Sequence, residues 1–162
     1  MGSEESENKK EKTDVIMVVD DNEQNLELIQ AYLEDLKCKT VPAYDGQQAL
    51  DIIFKNPPDL VLLDIMMPKI SGFEVCKRVK NDPKTSHIPI IMVTALHEFG
   101  DIERAIDAGT DDFLSKPVNK LELITRVKTM LKLKHLSDKL ERTLAYLSEV
   151  ESQTKNIETN TA

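Results

Sequence analysis

LVLLDIMMP, residues 60–68, runs four apolar residues straight into one carboxylate, Asp64, and then into two methionines and a proline. A short, uniformly apolar run of this kind reads as a strand buried on both faces, as in parallel sheets. An ionised carboxylate at the end of such a run is costly unless something pairs with it. The stretch therefore predicts a fold class and also a place where chemistry is held.

Working outward, four more short apolar runs flank it: VIMVV (15–19), TVPAY (40–44), IPIIMV (88–93) and DFLS (112–115). The segments between them have helical spacing. Apolar residues fall at Leu26, Ile29, Leu33 and Leu36, then at Ala49, Ile52 and Ile53. They recur at Phe73, Cys76 and Val79, and again at Ile102, Ala105 and Ile106. Helix starts are marked by Asp21-x-x-Gln24, Asp45-x-x-Gln48, Ser71-x-x-Glu74 and Asn119-x-x-Glu122, each a capping residue with Glu or Gln three later. Stops are marked by Pro57-Pro58, Asp82-Pro83 and Gly109. Alternating βα units of this kind predict an α/β fold: a five-stranded parallel sheet, doubly wound, with helices on both faces.

The chain has 162 residues, 40% apolar and 31% charged, with a net charge of −8. Such a balance argues against nucleic-acid binding by electrostatics, which needs a basic face. Cys38 and Cys76 stand singly, without CxxC spacing, and read as small hydrophobes in a reducing compartment. His87, His97 and His135 show no metal-ligand spacing. No apolar run approaches the roughly 18 residues of a membrane span, and no secretory leader is visible, so the expectation is a cytoplasmic chain without membrane contact. MGSEES fits a loose myristoylation pattern, but its acidic continuation argues against one. Residues 1–13 are polar and without apolar periodicity, which predicts a disordered arm.

Ligands of open parallel sheets bind beyond the carboxyl ends of the strands. Those ends here are Asp20-Asp21, Asp64, Thr94 and Lys116-Pro117. Each has a plainer reading: Asp21 as a helix cap, Thr94 as an ordinary strand end, Lys116 as a solvated lysine. Their coincidence at strand ends of one polarity is what the plainer readings leave unexplained. Two carboxylates about 5 Å apart repel by roughly 3 kcal/mol at an effective dielectric near 20. Three would not all stay ionised without cations, and an all-oxygen ligand set suits Mg²⁺ rather than zinc. There is no GxxxxGK[ST] or GxGxxG loop for a nucleotide. The expected chemistry is phosphoryl transfer onto a carboxylate.

VVDDNEQN, LVLLDIMMP, IIMVTA and AGTDDFLSKP, in this order from Val15 to Leu131, resemble the receiver domain of two-component response regulators. The resemblance implies a flavodoxin-like sheet of order 2-1-3-4-5 with Asp64 as phosphoacceptor. It implies Mg²⁺ held by Asp20, Asp21, Asp64 and the backbone carbonyl of Met66. Thr94 would bond the phosphoryl oxygens and move on activation, with the rotamer of Phe113 following. Lys116 would pair with the same oxygens, and Lys116-Pro117 would be cis. The phosphoryl donor would be a sensor histidine kinase or a phosphotransfer protein, and the chain would catalyse only its own phosphorylation and slow dephosphorylation. Met66 and Leu96, two positions past Asp64 and Thr94, are apolar; the resemblance implies that these positions flank the route of attacking water, which predicts a long-lived acyl phosphate. An alternative, a Mg²⁺-dependent phosphohydrolase with an aspartyl nucleophile, usually needs a carboxylate where Met66 stands.

From Asn119 the helical pattern continues without Gly or Pro to about Glu151, roughly 50 Å at 1.5 Å per residue. Beyond Leu131 it settles into heptads, with Leu133, Leu140 and Leu147 on one seam position and Leu136, Thr143 and Val150 on the other. The expected organisation is a receiver over 14–132, a coiled-coil signalling helix over 133–153 and a disordered tail over 154–162. The helix is expected to pair in parallel in a homodimer; the alternative is one that folds back on its own domain. A helix with nothing after it to signal to suggests a fragment of a longer regulator, with a stand-alone adaptor acting by protein contacts as the other reading.

Overall fold

The computed structural model describes residues 12–95 and 99–161, so the expected arm lies outside the described residues except for Lys12 and Thr13. Five strands, β1 (Asp14–Val19), β2 (Cys38–Ala43), β3 (Leu60–Asp64), β4 (Ile90–Thr94) and β5 (Asp112–Ser115), form one parallel sheet of order β2-β1-β3-β4-β5. Helices α1 (Glu23–Leu33), α2 (Gly46–Lys55), α3 (Gly72–Asn81), α4 (Phe99–Asp107) and α5 (Lys120–Asn160) alternate with them. Pro42, which lacks an N–H, lies in the edge strand β2, where that loss is tolerated.

The alternation of side chains along the inner strands builds two cores. Met17, Val19, Val61, Leu63, Ile90 and Met92 point to the face covered by α2 and α3. Ile16, Val18, Leu60, Leu62, Ile91 and Val93 point to the other face, where Leu26, Ile29 and Leu33 of α1 meet Leu123, Val127 and Leu131 of α5. Every residue of β3 and β4 is buried, which is why those strands show no polar alternation in the sequence.

Asp45, Ser71 and Asn119 cap their helices as expected, accepting from the N–H of Gln48, Glu74 and Glu122. For α1 the cap is Asn22, not Asp21: its Oδ1 accepts from Asn25 N at 3.1 Å. The start moves one residue because Asn22 N donates to Asp20 Oδ1 at 2.9 Å, holding the Asp20-Asp21 turn outside the helix. A second difference lies at the far end. The tail expected to leave the helix after Gln153 is instead helical to Asn160, because 154–160 holds no Gly or Pro. Thr154 and Thr159 also bond back to the carbonyls of Val150 and Lys155.

At the amino end of the sheet α5 is fastened before it leaves the domain. Lys134 Nζ lies 3.2 Å from Asp59 Oδ1, and the other oxygen of Asp59 accepts from Val15 N at 2.7 Å. His135 Nε2 lies 2.8 Å from Asp14 Oδ1. From Leu133 onward the seam residues Leu133, Leu136, Leu140 and Leu147 are all more than half exposed. At 100° per residue they sit on the side of α5 opposite Leu123, Val127 and Leu131. The seam is therefore not folded onto its own receiver.

Candidate phosphoacceptor site

β1 and β3 lie side by side at the centre of the sheet, so their carboxyl ends bring Asp20 and Asp64 together. Both are buried, at 2% and 5% exposure, while Asp21 is exposed. One carboxylate oxygen from each of Asp20, Asp21 and Asp64 lies within 4.8 Å of the others. Lys116, just past β5, reaches across the rim: its Nζ is 3.0 Å from Asp20 Oδ2 and 3.4 Å from Asp64 Oδ2. Its backbone N–H donates to the Thr94 carbonyl at 2.8 Å, which ties the end of β5 to the end of β4. Lys116-Pro117 is cis, as the resemblance implied.

The electrostatics are unbalanced. Burial, and then the charge of Asp20, push the Asp64 carboxyl up to about 6, although Lys116 and the Met66 N–H oppose the shift. Burial pulls the Lys116 ammonium down, but Asp20 and Asp64 together more than reverse this, so its pKa rises. Lys116 stays protonated and answers one of three negative charges. A cluster of carboxylate oxygens without His or Cys fits a hard divalent cation such as Mg²⁺ and does not fit zinc.

The other expected residues are placed as follows. Thr94 is the last residue of β4 and is buried. Phe113 lies in β5, partly buried against the α2–α3 core, and shares with Thr94 a small cavity of about 130 Å³ walled by Ile65, Asp101 and Ile102. Met66 N donates to Asp64 Oδ1 at 3.3 Å, and the Met66 side chain is 64% exposed beside Asp64. Leu96 lies outside the described residues.

One site residue carried no expectation of its own. Gly72 starts α3 so close under Asp64 that an added Cβ would collide with the Asp64 carbonyl and lie 2.8 Å from Ile65 Cα. Its N–H donates to the Ile65 carbonyl at 2.9 Å, closing the 65–72 loop that carries Lys69 at φ +68°. Ser71 is visible in the sequence as a cap; the close backbone approach at Gly72 needs the third dimension.

Residues 16–128 match the response regulator receiver domain family. The response regulator PleD of Caulobacter vibrioides is 40% identical over 127 residues, which are 78% of this chain and 28% of PleD. The polar-differentiation response regulator DivK of Brucella ovis is 39% identical over 119 residues, 74% of this chain and 97% of DivK. Among solved structures, a CheY-like response regulator receiver domain protein from Methanospirillum hungatei superposes with a TM-score of 0.73 at 25% identity, covering 78% of this chain and 99% of that one. The receiver domain of Francisella response regulator 1452 gives 0.68 at 30% identity, covering 74% and 98%. With its fold, its acidic rim and these relatives in agreement, the chain belongs to the receiver-domain family of two-component response regulators.

Proposed function

We propose that this chain is a phosphorylation-controlled switch that accepts a phosphoryl group on Asp64 from the phosphohistidine of a sensor kinase or phosphotransfer protein. The observation that carries this reading is the convergence of Asp20, Asp21 and Asp64 on one point with Lys116 bridging two of them. A carboxylate oxygen of Asp64 attacks phosphorus, the phosphorus–nitrogen bond breaks, and the imidazole leaves as an acyl phosphate forms. Asp20, Asp21, Asp64 and the Met66 carbonyl are the groups that would hold Mg²⁺, which when bound supplies neutralising charge to the rim and to the phosphoryl oxygens. Lys116 provides a fixed cation for one of those oxygens, and the Thr94 hydroxyl a donor for another. The Thr94–Phe113 cavity offers room for the hydroxyl and ring to shift together.

In this reading the receiver occupies 14–132 and α5 from 133 onward is a parallel association helix, with a homodimer as its smallest assembly. It acts in the cytoplasm through protein contacts rather than nucleic acid. Among the described residues no helix is long and apolar enough to cross a membrane. The hydrolase alternative is disfavoured because the position for a general acid is the exposed thioether of Met66. The same side chain favours a long-lived acyl phosphate.

Intact-mass analysis after acetyl phosphate and Mg²⁺ tests the switch. A single phosphoryl addition, absent in Asp64→Asn, is the expected result; no adduct on the wild-type chain rejects the reading. An adduct that decays within seconds after donor removal rejects the long-lived intermediate alone.

A further inference from the structure

We infer that α5 joins four copies of this chain, two parallel pairs closing into a four-helix bundle. The inference rests on the reading of α5 as an association helix and deepens it by fixing how many copies the seam accepts.

The spacing of three and then four residues sets the register. Leu133, Leu140, Leu147 and Thr154 take the a position, and Leu136, Thr143, Val150 and Ile157 take d. The last layer exists because the helix runs on to Asn160. Three of the four d residues (Thr143, Val150 and Ile157) are β-branched, while the first three a residues are leucine. In a parallel pair the d side chains point directly at the partner backbone, where branching at Cβ forces poor rotamers. With four strands the demands of a and d exchange. Leucine at a with β-branched residues at d is the pattern that shifts parallel helices toward higher assemblies.

Two independent features agree. Leu144 at e and Tyr146 at g are 55% and 66% exposed, so in this central heptad the apolar band is wider than a two-stranded seam covers. Apolar residues at e or g belong to bundle helices, whose flanks also face neighbours. The receiver, moreover, is fastened to the outer face. Lys134 and His135, at b and c, contact Asp59 and Asp14, and Asp138, at f, pairs with Lys134. A bundle built through a, d, e and g turns b, c and f outward, so four receivers stand around the stalk without entering it. Lys132 and Lys139, at g, can lay their stems along a neighbour and keep their ammonium groups in water.

Sedimentation equilibrium on the intact chain, whose single-copy mass is 18.3 kDa, tests this directly. The expected mass is that of four copies. The triple variant Thr143→Leu/Val150→Leu/Ile157→Leu is expected to fall to two copies, and Leu140→Lys to one. A wild-type chain that stops at two copies overturns the four-helix inference and leaves the association helix standing. A single-copy mass at every concentration overturns both. A triple variant that keeps four copies also rejects the d-position account.

Discussion

The two ends of the sheet carry similar groups put to different use. At the amino end, Asp59 has both oxygens engaged, one by the Val15 N–H and one by Lys134, and neither side chain of that ion pair is more than 13% exposed. At the carboxyl end, three carboxylates converge while Lys116 reaches only Asp20 and Asp64, and the Asp64 carboxyl is pushed up to about 6. The first cluster is saturated with donors and holds α5 to β1 and β3. The second is short of positive charge and is built to take up more. A buried carboxylate is therefore no sign of function by itself; the shortfall around it is.

Removing the cation from each end should separate them most sharply. Lys116→Met is expected to slow phosphoryl incorporation from acetyl phosphate by about a hundredfold. Lys134→Met should leave that rate within about twofold, since Lys134 touches nothing at the rim. An equal loss in both variants would erase the distinction. Stability should show the reverse order. Asp59→Ala leaves Lys134 only the more exposed Asp138 and removes the acceptor of the Val15 N–H, and is expected to cost about 2 kcal/mol in urea unfolding, whereas the exposed Asp21, removed from the crowded rim, should cost nothing measurable.

A pH series sharpens the point for Asp64. Its unfolded carboxyl titrates near 4, and the folded one is pushed up to about 6. The folded state thus favours the protonated form, and the stability this gives is full below about pH 4 and lost as pH climbs through 6. In Mg²⁺-free buffer at pH 7, Asp64→Asn should be about 2 kcal/mol more stable than wild type. That gain should vanish near pH 4; a gain that persists there would show another cause. The smallest effect concerns the α1 cap: Asn22→Ala should cost about 1 kcal/mol, while Asp21→Ala should not unseat the helix.

Most of this architecture was legible from local pattern. β3 and β4 are apolar throughout because both faces are covered, and three of four cap signatures lie where the helices begin. The residues that meet at the acidic rim could be listed because strand ends are countable along the chain. What stayed hidden depends on contacts between distant residues. The Asp59–Lys134 pair joins positions 75 residues apart, and no periodicity announces it. Gly72 looks like a loop glycine until the Asp64 carbonyl is placed above it. The choice of Asn22 over Asp21 turns on one hydrogen bond inside a turn. The end of α5 differs for another reason: a polar stretch predicts fraying, but nothing in 154–160 breaks a helix.

The fastening of α5 at Lys134 and His135 has a mechanical consequence. From that anchor to Asn160 the helix extends about 39 Å at 1.5 Å per residue. It is a lever with a short arm inside the receiver and a long arm outside it. A tilt of only about 5° at the anchor would carry the far tip through roughly 3 Å, over half the rise of one helical turn. Motions at the acidic rim too small to disturb the core could therefore reach the end of the chain enlarged, provided the two side-chain contacts at the pivot hold.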